Sequence, residues 1–259
     1  MEWKLIVNAD DLGHSAAVNE EIFARMAQGS VSSATLLANG EAIDESLHRL
    51  RQFPNHSFGV HLNLTEFRPL SEHPDLAPIL DNDGRFATDP RTILLSQALK
   101  DAIFAEWSAQ IERIQKADVT ISHVDSHHHV HTTPALFRVL KKIQQRFGFS
   151  RVRNTRNVYH AGEVLGLSLK LKKRLWSLGL CRLRPKTITT RHFTDLSAFC
   201  KCGREGLLPA GSTCELMVHP GPNEDPEERQ LLDDCPLSMD ATVDWNGISC
   251  RLVNFQQLC

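Results

Sequence analysis

Lys4-Leu5-Ile6-Val7-Asn8-Ala9-Asp10-Asp11-Leu12-Gly13 is the stretch on which the reading of the fold turns. Residues 4–9 form a short apolar run that closes on two carboxylates, and short runs punctuated by polar residues read as buried strands. A helix is expected next. Ser15 can cap it, Val18, Ile22 and Met26 fall on one face at four-residue spacing, and Gly29 suits its C-terminal end. A strand at 34–38, a helix at 41–52 and a strand at 58–64 follow, so the order is strand, helix, strand, helix.

Residues 66–88, with Pro69, Pro74, Pro78 and Gly84, form a long connection without strong periodicity, and connections of that length are usually functional or disordered. Asp89-Pro90 suits a helix start, and apolar residues from Ile93 through Leu99, Ile103, Trp107, Ile111 and Ile114 keep helical spacing to about residue 116. Residues 120–125 return to strand character, Thr133-Pro134 begins a helix that Gly148 ends, and 149–153 is a further strand. A basic helix over about 163–178, a polar, Cys-rich stretch at 195–206 and a strand at 214–219 complete the series. Alternating strands and helices imply a mostly parallel sheet. The expected fold class is α/β, with the 259 residues forming a single barrel-like domain.

Composition narrows the function. With 29 Lys+Arg against 31 Asp+Glu the net charge is −2, which argues against a nucleic-acid binder working through bulk positive charge. The 41% apolar and 23% charged content is that of an ordinary globular protein. No apolar run approaches the roughly 20 residues that span a bilayer, and the start lacks the apolar stretch of a secretory signal, so a cytoplasmic protein is expected. The seven Cys are odd in number, crowd into the last third and contain no Cys-x-x-Cys, so they read as free thiols, with Cys259 exposed at the end. Of the 13 His, five (His123, His127, His128, His129, His131) fall within nine positions.

In such folds chemistry sits at the carboxyl ends of strands. Asp10 and Asp11 stand after the first strand, where adjacent carboxylates point in different directions, although Asp and Gly are also ordinary turn residues. His61 shares one face of its strand with Asn63, which makes an inward polar site plausible against the simpler reading of a satisfied core histidine. In 125–131, an extended chain would project Asp125, His127, His129 and His131 on one side, with the carboxylate orienting a ligand imidazole. His219, before Pro220-Gly221, is either a structural turn residue or an acid–base group. Taken together, Asp11, His61 and His127 would give a divalent metal three ligands and leave room for water and a substrate oxygen. Asp10 is then the candidate base and His219 the candidate acid, and the chemistry is metal-assisted amide hydrolysis. The mixed nitrogen and oxygen set fits zinc, magnesium or manganese.

At these residues the sequence resembles the YdjC/ChbG family of carbohydrate deacetylases. The shared features are Asn8-Ala9-Asp10-Asp11 with Gly13, Asn19, residues 29–33 with Asn39-Gly40, Gly59 with His61 and Leu64-Thr65, Asp125 through His131, and His219-Pro220. The resemblance implies a distorted (β/α) barrel of the polysaccharide-deacetylase kind over 1–259 and one divalent ion, described as magnesium. It also implies removal of N-acetyl groups from amino sugars such as short chitooligosaccharides. Carried over by position, Asp11, His61 and His127 match the metal ligands, Asp10 the base and His219 the acid. Asp125, His129 and His131 match places near the site, and Arg153 is a candidate substrate contact. The sequence departs from the family in Leu12, where Phe is frequent, and in its Cys-rich final third, which bears on substrate choice. The implied partner is a small amino sugar, with neither nucleic acid nor membrane, and a homodimer is the candidate assembly. Two other readings compete. A non-catalytic sugar- or metal-binding protein would need neither Asp10 nor His219. A metal phosphohydrolase or cyclic amidohydrolase is the other, and the latter usually carries His-x-His on its first strand, not mid-chain as His127-x-His129 is.

Overall fold

The opening run becomes the centre of the sheet. The computed structural model describes residues 2–159, 166–209, 211–245 and 247–258. Its first half contains β1 (Trp3–Leu12), α1 (Ala16–Gln28), β2 (Ser33–Leu36), α2 (Ile43–Arg49), β3 (Ser57–Leu62), α3 (Gln97–Gln115), β4 (Ile121–Ser126) and α4 (Phe137–Phe147). The second half contains α5 (Leu167–Arg182), β5 (His192–Asp195), α6 (Leu196–Arg204), β6 (Thr213–Val218), α7 (Pro226–Asp233), β7 (Thr242–Trp245) and β8 (Ile248–Leu252). The strands lie in the order β4-β3-β2-β1-β6-β5, all parallel. On one side of β1, β6 pairs along residues 4–9. On the other, β8 pairs with its first half and β2 with its second. A strand enclosed in this way needs no polar alternation, and Leu5, Ile6, Val7 and Ala9 are all essentially inaccessible.

Regular ladders stop at β4 and β5. Beyond β4, single parallel bridges join Val124 to Val152 and Arg151 to Ile188. The strand expected at 149–153 is reduced to those bridges. The α/β class therefore holds, and among the described residues these isolated bridges lead from β4 through 151–152 to Ile188 and form no continuous ladder.

Where the sequence signal is local, the elements begin and end as expected. The Ser15 side chain accepts from the Val18 amide, and Gly29 closes α1 at φ +89, a conformation that costs glycine little. Gly148 ends α4 in the same way at φ +74. Elsewhere the structure differs. The helix expected from Asp89 begins only at Gln97, because the Ser96 hydroxyl accepts from Leu99 N while the Asp89 carboxylate is engaged by Arg91. The connection 66–88 is packed. Leu76 and Ile79 are fully buried, and the inward-facing Glu106 of α3 accepts from the amides of Leu70 and Ser71. The Cys-rich stretch is the amphipathic helix α6, capped by Asp195, with Cys200 buried against the core. Sequence reading also passed over β5, α7 and the antiparallel β7–β8 pair. Cys181, Cys200, Cys214, Cys235 and Cys250 are free thiols. The expected start of the basic helix near residue 163 and the terminal Cys259 lie outside the described residues. Among the described residues, no helix is long and apolar enough to cross a membrane.

Candidate metal centre and its surroundings

Asp10 and Asp11 separate at a break in the ladder. The register of β1 against β2 shifts between Ala9 and Leu12, and Asp11 sits at φ +69, a conformation rare for non-glycine residues. Asp10 points into the sheet and is buried, whereas Asp11 reaches the rim. There Asp11 Oδ1 lies 3.2 Å from His61 Nε2 and 2.8 Å from His127 Nδ1. His61 comes from β3 directly across the ladder from Asp125 of β4, and its Nδ1 is 2.7 Å from Asp125 Oδ1. The Thr35 hydroxyl donates to the other oxygen of Asp125, so the carboxylate that orients His61 is itself held. His127, the first residue beyond β4, turns Nε2 toward Glu66 Oε1 at 3.5 Å.

One carboxylate oxygen and two imidazole nitrogens thus converge within 4.8 Å of one another, the donor set that suits a divalent metal. The electrostatics agree. Burial alone would lower the pKa of His61, but Asp125, Asp10 and Asp11 outweigh it and raise the value to about 10. Burial also opposes protonation of His127, yet the neighbouring carboxylates of Asp11 and Glu66 raise it to about 9. Desolvation would raise the Asp11 pKa, and the same two imidazoles hold it well below the usual range. The pocket is therefore built for positive charge. A neighbouring grouping, Asp10, His61 and Asp125, already faces a cation, the guanidinium of Arg153.

Arg153, the candidate substrate contact, is 1% exposed and is held by carboxylates on three strands. Its Nη1 and Nη2 donate to the two oxygens of Asp10 at 2.7 and 2.6 Å, and Nη2 also lies 2.8 Å from Asp125 Oδ2. Its Nε donates to Glu215 Oε1 at 2.6 Å. Burial would raise the Asp10 pKa, but Arg153 overrides this and keeps the carboxylate ionised. Glu215 is pushed up to about 7 by burial, only partly offset by Arg153. His219 follows β6, with its side chain half exposed and Nε2 3.9 Å from Asp10 Oδ2. Its backbone amide donates to Glu228 Oε1 at 2.6 Å. Asp10, Asp11, His14 and His219 line one cavity of about 180 Å³.

The extended face expected of Asp125, His127, His129 and His131 does not form. The chain leaves β4 at Ser126 and coils into a 3-10 segment, with His128 and His129 at φ +49 and +56. The His131 ring is consequently buried against the Ser126 hydroxyl and edge-on to Trp176. Burial and Arg153 lower the pKa of His129 to about 3, and its ring meets Phe193 edge-on. Both line a separate cavity of about 310 Å³ beyond Arg153. Sequence reasoning missed Glu66, His14, Thr35 and Glu215. The available signals were a carboxylate inside the apolar strand 214–218 for Glu215 and a place just past the carboxyl end of β3 for Glu66.

Comparison with known proteins places the chain in a family. It is 36% identical over 146 residues to a protein named carbohydrate deacetylase from Halalkalibacterium halodurans, covering 56% of this chain and 61% of that protein. It is 38% identical over 142 residues to one of the same name from Geobacillus stearothermophilus, covering 55% of this chain and 56% of that one. The match thus spans little more than half the length of these relatives. The fold resembles a crystal structure of a protein from Enterococcus faecalis V583 named for cellobiose-phosphate cleavage. The TM-score is 0.70 at 21% identity, over 99% of this chain and 98% of that one. The profile of the YdjC-like protein family matches residues 4–246. The chain belongs to the YdjC-like protein family.

Proposed function

We propose that the chain is a metal-dependent carbohydrate deacetylase that hydrolyses the N-acetyl group of amino sugars or short chitooligosaccharides. The observation that carries this reading is the convergence of Asp11, His61 and His127 beside a cavity that also receives Asp10 and His219. The names of the family relatives support the substrate class. Asp11, His61 and His127 would hold one divalent ion, magnesium by family resemblance, with zinc or manganese as alternatives, of which the two imidazoles favour zinc. When bound, such an ion polarises an amide carbonyl and acidifies water.

The chain's own residues supply the rest. Asp10, kept ionised by Arg153, accepts the proton of the water that adds to the acyl carbon. His219, open to the cavity, gives a proton to the nitrogen as the C–N bond breaks, and acetate and a free amine result. Asp125 fixes the His61 ring, and Arg153 fixes Asp10, both as positioning residues. This reading takes residues 1–259 as one deacetylase domain working in the cytoplasm. A non-catalytic binding protein would have no use for Asp10 and His219 at one cavity. The test is incubation of the metal-loaded protein with diacetylchitobiose and related N-acetyl sugars. Equal amounts of acetate and free amine are expected, and absence of both would overturn the proposal.

A further inference from the structure

Beside the Asp11 donor set, Glu66, His127 and His128 offer three more ligand atoms within 4.8 Å of one another. His127 belongs to both sets because its ring lies between two carboxylates, with Nδ1 toward Asp11 at 2.8 Å and Nε2 toward Glu66 at 3.5 Å. That Nε2 is buried, and its contact with Glu66 is longer than a normal hydrogen bond. The backbone contributes as well. Two successive non-glycine residues, His128 and His129, take left-handed φ values of +49 and +56, the kind of strain that persists at functional sites. This turn brings the His128 ring against His127, with centroids 4.0 Å apart. Thr65 Oγ1, 2.9 Å from His128 Nδ1, fixes the ring, and Arg91 donates to the His128 carbonyl.

We propose that Glu66, His127 and His128 form a second cation site that shares the His127 imidazole with the Asp11 centre and takes a borderline divalent ion of the zinc class. Two imidazole nitrogens and one carboxylate oxygen favour such an ion over magnesium. For one imidazole to serve two ions it gives up its remaining N–H proton, which passes to solvent. His128 is exposed, so the outer ion enters from solvent without passing the inner one. The inference rests on the assignment of His127 to the inner centre.

The test uses the chain of residues 1–259 stripped with chelator, dialysed against excess zinc and analysed for zinc per chain, with the triple variant D11N/E66Q/H128A as baseline. Wild type is expected to hold two ions above that baseline, and D11N and E66Q/H128A one each. A wild type with one ion or none, or an E66Q/H128A protein that still holds two, overturns the proposal. If a single ion is lost in D11N but kept in E66Q/H128A, only the outer site falls. The converse pattern overturns the inner assignment as well. Thermal melts confirm folding, and H128A alone, at an exposed position, repeats the measurement if E66Q impairs it. Two bound ions with no acetate released would count against the deacetylase reading and leave this one standing.

Discussion

Asp10 and Asp11 are adjacent in sequence but have different surroundings, because the left-handed φ of Asp11 turns one carboxylate outward and leaves the other on Arg153. Replacing Asp10 with Asn should lower turnover by about 10²–10⁴-fold, the usual worth of a general base, while metal content stays unchanged. Loss of both together would point to a structural role for Asp10. Gly59 is legible in the sequence only as a family residue, and the structure supplies the reason. A Cβ there would sit 2.5 Å from the His123 ring, which is itself stacked on Phe255 at 3.5 Å. Gly59→Ala should therefore cost about 1–3 kcal/mol through overpacking, measurable as a lower denaturant midpoint at unchanged slope. Arg153 shows what residue-level reading leaves open. Its position at the end of an expected strand suggested contact with substrate, and nothing local announces that Asp10, Asp125 and Glu215 from three different strands close around it.

Elements governed by their own termini were readable. Ser15 and Gly29 fix α1 because capping involves atoms only a few residues apart. The start of α3 was misplaced because Asp89-Pro90 carries the stronger sequence signal, while the cap that forms is Ser96. Ser96→Ala should cost about 0.5–2 kcal/mol, and Asp89→Ala should leave helix content and midpoint nearly unchanged. Equal effects of the two substitutions in circular dichroism and urea titration would restore the earlier start. The His-rich run departs from its expected geometry for a different reason. Period-two alternation applies only while the chain stays extended, and two left-handed residues in succession are a conformation that sequence patterning gives no cause to expect. The same turn sends His129 and His131 to a second cavity and leaves His127 against Asp11.

Across the whole molecule, buried charge makes stability depend on pH. In the metal-free chain, His61 and His127 keep their protons up to about 10 and about 9, whereas an unfolded histidine releases its proton near 6.5. Between roughly 6.5 and 9 the folded chain therefore binds more protons than the unfolded chain. Stability should fall as pH rises through that window, by about 1.4 kcal/mol per pH unit for each such proton. Above it, Cys200, Cys235 and Cys250, whose thiols burial pushes up to about 12, 11 and 12, act in the same direction. Saturating metal replaces the imidazole protons and should remove the histidine part of the loss. Denaturant midpoints at pH 6.5 and 9, with chelator and with metal, check this, and a chelated protein equally stable at both would refute it. The sequence by itself determined the α/β class and the central strand, and it offered Asp10, Asp11, His61, His127 and His219 as candidates, because each stands at or near a strand end that local patterning reveals. Only the tertiary structure decided that Arg153 is buried beneath Asp10, that Glu66 and His14 join the rim, and that beyond β4 the sheet continues only as single bridges. Those outcomes depend on contacts between residues far apart in the chain, where the balance of desolvation against ion pairing is struck after the strands are in register.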